Sequence, residues 1–154
     1  MINTRVLSTD FEYFEPKTIE EAVSLLGKYK GEARVLAGGT DLLIDMKRKR
    51  IEPKYLINIK GIQDLNYIRE DGGLQIGAAT SIRRIEKSQL VKKGYLALFE
   101  AAQAFGTVQI RNMATIGGNI CNGLPSADIP PALVAFDARV KIVGPMEERF
   151  LPLK

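Results

Sequence analysis

Arg34-Val35-Leu36-Ala37-Gly38-Gly39-Thr40-Asp41-Leu42 is the stretch from which the fold is read. A short apolar run feeds a bare Gly-Gly turn, and residues 42–46 begin a helix whose first amides face that turn. Strand, glycine turn and helix in this order bind phosphate at a helix N-terminus. A second stretch, Thr115-Ile116-Gly117-Gly118-Asn119, has the same character, with a hydroxyl beside a Gly pair. Each pair is expected to take positive φ and to leave its peptide N–H groups open, since no Cβ stands in the way. Successive N–H groups in one concavity make an anion nest. Two nests in one small domain suit a ligand with two linked phosphates, such as a dinucleotide.

Outward from these stretches, short strands and helices alternate. Residues 11–16 are extended and stop at Pro16. Thr18 and Glu21 predict a capping box for a helix with Ile19, Ala22, Val23 and Leu26 on one face, ending near Gly31. Residues 34–36 read as a short buried strand and residues 55–59 as another. Asp71-Gly72-Gly73 joins residues 67–70 and 74–77 as a hairpin, so this third Gly pair is structural. Thr80 or Ser81 caps a short helix reaching about Lys87. Leu96, Phe99, Ala102 and Phe105 mark a helix closed by Gly106. Residues 125–128 cap a helix through Ala132 to Phe136, and residues 139–143 and 149–153 form a closing hairpin. The seam between lobes is expected within residues 47–54, giving a first lobe over 1–52 (small α/β) and a second over 53–154 (α+β).

Composition narrows the function. The chain has 154 residues, 45% apolar and 26% charged, which suits one domain or two small lobes. With 22 Lys and Arg against 18 Asp and Glu, the net charge of +4 is mild and does not imply nucleic acid. The cluster Lys47-Arg48-Lys49-Arg50 reads first as the solvated end of a helix, where cations complement the dipole. A docking patch for an acidic subunit comes second, and nucleic acid third, since no aromatic residues interleave. The sequence holds no His, which excludes a Ser-His-Asp triad, a His general base and a His metal site. Cys121 is the single cysteine, so no internal disulfide, zinc motif or iron–sulfur ligand set exists. No run could span a bilayer, and a cytoplasmic protein is expected. Neither a Gly-x-Gly-x-x-Gly fingerprint nor a P-loop is present, so the phosphate site is of another type.

Residues 11–16 (Phe-Glu-Tyr-Phe-Glu-Pro), 18–22 (Thr-Ile-Glu-Glu-Ala) and 35–42 resemble the start of a known family. Residues 109–120 (Gln-Ile-Arg-Asn-Met-Ala-Thr-Ile-Gly-Gly-Asn-Ile) and 125–128 (Pro-Ser-Ala-Asp) extend the likeness in order, almost end to end. The family is the FAD-binding (medium) subunit of molybdenum hydroxylases, including carbon monoxide dehydrogenase and xanthine dehydrogenase flavoproteins. The resemblance implies an α+β, two-lobed FAD-binding fold of the vanillyl-alcohol oxidase (PCMH) type, with FAD between the lobes. It implies that Val35, Leu36, Ala37, Gly38, Gly39, Thr40, Asp41 and Leu42 wrap the pyrophosphate. Thr115, Ile116, Gly117, Gly118 and Asn119 then meet it from the second lobe, Asp128 contacts cofactor hydroxyls, and Phe105 packs on the cofactor. No catalytic acid or base and no metal ligand is implied for this chain. The implied partners are an iron–sulfur small subunit and a molybdopterin-binding large subunit, with electrons passing through FAD to an external acceptor. Family members continue past the position of Lys154, so a shortened relative, a fragment or a piece of a split subunit is expected, with a sheet edge near Leu151 open to self-association.

The residue chemistry agrees with that assignment but leaves alternatives. The amides of Gly38, Gly39, Gly117 and Gly118 can neutralise phosphate without a lysine, and Thr40, Thr115 and Asn119 can add donors. A carboxylate such as Asp128 suits hydroxyls and would repel phosphate. Phe105 offers a flat apolar face. Against these stand an Asp128 that only caps its helix, a Phe105 that is plain core, and an Asn119 that holds a turn. Arg111 and Asn112 either meet phosphates or fix their loop, and the loop is favoured. Two rival functions remain: a flavin-free assembly module of the same fold, and a module for another phosphate-bearing ligand.

Overall fold

Parallel strands need crossover connections, and the first third of the chain supplies two. In the computed structural model, which describes Leu7 and residues 10–153, β1 (Glu12–Phe14) and β2 (Ala33–Leu36) both pair in parallel with β3 (Tyr55–Asn58). The sheet order is β1-β3-β2. Helix α1 (Ile19–Lys28) makes the first crossover and α2 (Leu42–Lys47) the second. The Thr18 hydroxyl accepts the Glu21 N–H at 3.2 Å, while the Glu21 carboxylate takes the Lys17 N–H at 2.7 Å. The reciprocal bond therefore falls one residue earlier than a capping box has it. Ala22, with Ile19, Leu25 and Leu26, packs on Ala33, Ile57 and Ile62. Tyr29 stacks on Tyr55 at 3.9 Å and on Phe14 at 5.4 Å between ring centroids.

One expectation is corrected here: β2 is an edge strand rather than a buried one, and Val35 is 41% exposed. The central strand shared by β1 and β2 is β3. One core includes Ile57, Ile62 and Leu65, and the other draws on Ile68. The basic run is the hydrogen-bonded end of α2: Lys49 closes it at φ 55°, and Arg50 pairs with Asp45 at 3.2 Å.

Beyond β3, β4 (Ile68–Glu70) and β5 (Leu74–Ile76) form the expected hairpin, with Gly72 and Gly73 at φ 63° and 136°. Helices α3 (Ile82–Lys87), α4 (Gln89–Gly94), α5 (Leu96–Ala104), α6 (Val108–Met113), α7 (Ile116–Asn122) and α8 (Ile129–Ala135) follow. Strands β6 (Arg139–Val143) and β7 (Glu148–Pro152) close the described chain as an antiparallel pair. Ser81, Ser88 and Thr107 each cap a six-residue helix through the side chain. Such caps contribute about 1 kcal/mol apiece, which matters for helices too short to persist alone. Ile82, Ile85, Val91, Leu98 and Ile129 are fully buried in the second core, which also takes in Ala102, Ala114 and Ile116. Among the described residues no helix is long and apolar enough to cross a membrane.

Candidate cofactor site

Leu36 ends β2, and its carbonyl accepts the Ile59 N–H at 2.9 Å. From there the chain turns across the carboxyl edge of the sheet, where open α/β sheets bind their ligands. Gly39 takes φ +71°, as expected of the first Gly pair. Gly38 does not, and its need for glycine is close approach. A Cβ there would lie 2.8 Å from Ala114 Cα and press harder still on the Met113 carbonyl. The first glycine loop therefore rests on the backbone that leads into Thr115. Among the described residues, the amides of residues 37–42 donate to no protein acceptor. The carbonyls of Gly39 and Asp41 do work, accepting from Leu43 at 3.2 Å and Asp45 at 3.0 Å to start α2. Asp41 occupies the cap position without a capping side-chain bond. A run of N–H groups without a protein acceptor is the kind of backbone that an anion can bridge.

The second glycine stretch differs from expectation. It is the first turn of α7 rather than a loose turn, and neither Gly117 nor Gly118 has positive φ. Its amides are already engaged: Ile116 with Thr80 O at 3.1 Å, Gly117 with Ala78 O at 2.9 Å, and Asn119 with Thr115 O at 3.0 Å. The Gly118 N–H goes to Thr115 Oγ1 at 3.2 Å, and Thr115 is only 1% exposed. No second nest of free amides exists here. The glycines instead give thickness to the joint: a Cβ on Gly117 would sit 2.7 Å from the Ala78 Cβ, and one on Gly118 3.0 Å from Thr115 Oγ1. Asn119 does not hold a turn through its side-chain oxygen, since Oδ1 is buried without a hydrogen-bond partner. Buried polar atoms left so are rare and call for a ligand or water.

The remaining candidates divide. Asp128 stands at the cap of α8 but makes no capping bond, and Pro130 and Pro131 lie in the first turn. Its exposed carboxylate is paired with no described residue. Phe105 is half-buried and packs against the second core at the end of α5, so its core role is met whatever else it touches. Arg111 fixes the loop. Its Nη1 donates to the carbonyls of Gln103, Phe105 and Gly106 at 3.1, 3.0 and 3.0 Å, and its Nε to Glu86 Oε2 at 3.0 Å. Burial pushes the Glu86 carboxyl up, but the hydrogen bond from Arg83 and the charge of Arg111 outweigh it and hold the group below its usual range. Lys60 was not a candidate, yet its Nζ lies 3.8 Å from Met113 Sδ, across the same joint that Gly38 closes. Its only sequence signal is its place just past a parallel strand.

Amides without a protein acceptor, at the carboxyl edge of a parallel sheet and resting on the Met113–Ala114 backbone, are of the kind that suits a phosphorylated cofactor of the dinucleotide class. The chain belongs to the family described as the FAD binding domain in molybdopterin dehydrogenase, which matches residues 9–154. It is 41% identical over 133 residues to the nicotinate dehydrogenase FAD-subunit of Eubacterium barkeri, covering 85% of this chain and 45% of that one. It is 41% identical over 143 residues to the carbon monoxide dehydrogenase medium chain of Hydrogenophaga pseudoflava, covering 92% and 50%. The solved carbon monoxide dehydrogenase from Hydrogenophaga pseudoflava that lacks the Mo-pyranopterin moiety superposes with a TM-score of 0.93 at 39% identity, over 96% of this chain and 52% of that one. The chain thus spans about half the length of the curated relatives it matches.

Proposed function

We propose that this chain carries the amino-terminal part of the flavoprotein subunit of a molybdenum-dependent dehydrogenase and holds FAD between two lobes of the vanillyl-alcohol oxidase (PCMH) type. On this reading the complex also contains an iron–sulfur subunit and a molybdopterin subunit, works in the cytoplasm, and sends electrons through the flavin to an external acceptor. FAD supplies the redox chemistry when bound. The chain's own residues bind, orient and insulate. The amides of residues 37–42 neutralise the diphosphate, and Lys60 adds a cation from β3's end. Val35, Leu36 and Ile116 frame the cradle, while Thr115, Gly117 and Gly118 build its second wall. Asn119 Oδ1 and the Asp128 carboxylate accept hydrogen bonds from cofactor hydroxyls, and Phe105 covers an apolar face.

The observation that carries the reading is the convergence of the two glycine segments at Gly38, with unspent amides on one side only. The test is purification from the source cell. Flavin absorbance that survives dialysis, together with co-purifying iron–sulfur and molybdopterin subunits, is expected. A colourless chain in such a complex would mean a flavin-free assembly module instead.

A further inference from the structure

Helix α5 ends at Ala104, and the last carbonyls of any helix have no partner within it. Here a side chain from the next helix supplies one. Arg111, on α6, gives one nitrogen to the carbonyls of Gln103, Phe105 and Gly106, and another to Glu86. Arg111 and Glu86 are each only 11% exposed at the side chain. Glu86 is held in turn by both of its oxygens, at 2.9 and 2.8 Å, by Arg83 from the same helix. With bonds on both Nε and Nη1 the guanidinium has a fixed tilt, which the single nitrogen of an ammonium cannot reproduce.

The position of this clamp gives it meaning. Arg111 grips the backbone of Phe105 at one end. Its own helix runs at the other end into Met113 and Ala114, the wall on which Gly38 rests, and then into Thr115. One side chain thus ties the aromatic candidate to the joint between the two glycine segments. We propose that Arg111, aimed by Glu86, is a positioning residue of the cofactor site, setting Phe105 relative to the amide cradle. This rests on the FAD reading above.

The test compares Arg111→Lys with Lys141→Gln in the complex purified from its own cells. The readouts are FAD affinity, visible circular dichroism of the bound flavin, and the unfolding midpoint. Arg111→Lys keeps the charge but cannot reach Glu86 and the loop carbonyls together, so FAD affinity should fall about tenfold, with an altered flavin dichroism that a loss of stability alone would not produce. Lys141→Gln removes an exposed ion pair with Glu148 on the β6–β7 hairpin and leaves the Arg111 bonds in place, so affinity and dichroism should stay native. Native affinity and dichroism in Arg111→Lys, or an equal loss in Lys141→Gln, overturns the assignment. Should Arg111→Lys fail to fold, Glu86→Gln carries the test, with a smaller loss and the same spectral change expected and native behaviour refuting it. A native complex without flavin brings down the functional reading first, and this role with it.

Discussion

Replacing Gly38 with alanine adds one methyl group where two backbone segments touch. The new Cβ would stand 2.8 Å from Ala114 Cα. Carbon atoms in ordinary contact sit about 3.5–4.0 Å apart, so the two segments must part by roughly 1 Å. Overpacking of this kind costs about 1–3 kcal/mol. Gly38 is not in the left-handed region, so the smaller entropy of the unfolded alanine chain returns about 0.4–1 kcal/mol. A net destabilisation of about 1.3 kcal/mol is expected from the middle of the two ranges. The effect on cofactor binding should be larger, because displaced amides lose hydrogen bonds to a charged acceptor worth about 1.5–3 kcal/mol each. One such bond weakened to nothing means a dissociation constant raised about 10- to 150-fold. Denaturant unfolding and FAD titration of the same sample separate the two terms. A Gly38→Ala protein with native FAD affinity and undiminished stability would show that the close approach has no part in the site.

Gly27 lies inside α1 with open space around it and no positive φ. Gly27→Ala should raise stability by about 0.5–1 kcal/mol, read as a higher denaturant midpoint with unchanged slope. Asn119→Ala removes a buried acceptor that has no partner, so the flavin-free protein should lose little stability while FAD binds about three- to tenfold more weakly. Asp128→Ala should likewise leave α8 intact, since no cap bond is lost, and calorimetric FAD titration should show weakened binding. Glu86 is depressed in the folded state, so its stabilisation is full above the ordinary carboxylate range and is lost as pH falls through its lower folded value. Below about pH 4.3 the unfolding free energy of the native protein should therefore drop more steeply with acid than that of Glu86→Gln.

The first glycine stretch was legible because strand, turn and helix follow one another without interruption, and all three form as read. The second was not. Thr-x-Gly-Gly spells a turn and a capped helix equally well, and the choice is made by Ala78 and Thr80, which take its amides from far along the chain. Leu56 and Ile57, adjacent and buried on opposite faces, carry the mark of a central parallel strand. Helices α4 and α6 are too short for periodicity to reveal. The roles of Asn119 and Asp128 hinge on whether a side chain bonds its own backbone, which residue identity alone leaves undecided.

The strand order β1-β3-β2 has a consequence for synthesis on the ribosome. Because the middle strand is the last of the three to be translated, a nascent chain ending before Tyr55 exposes two ribbons that have no partner in common but the one still missing. The first three strands cannot settle early and wait for the rest; they close in one event once Asn58 clears the exit tunnel. Stalled chains of increasing length should pass abruptly from protease-sensitive to protected at that point, and gradual protection before it would contradict this order of assembly.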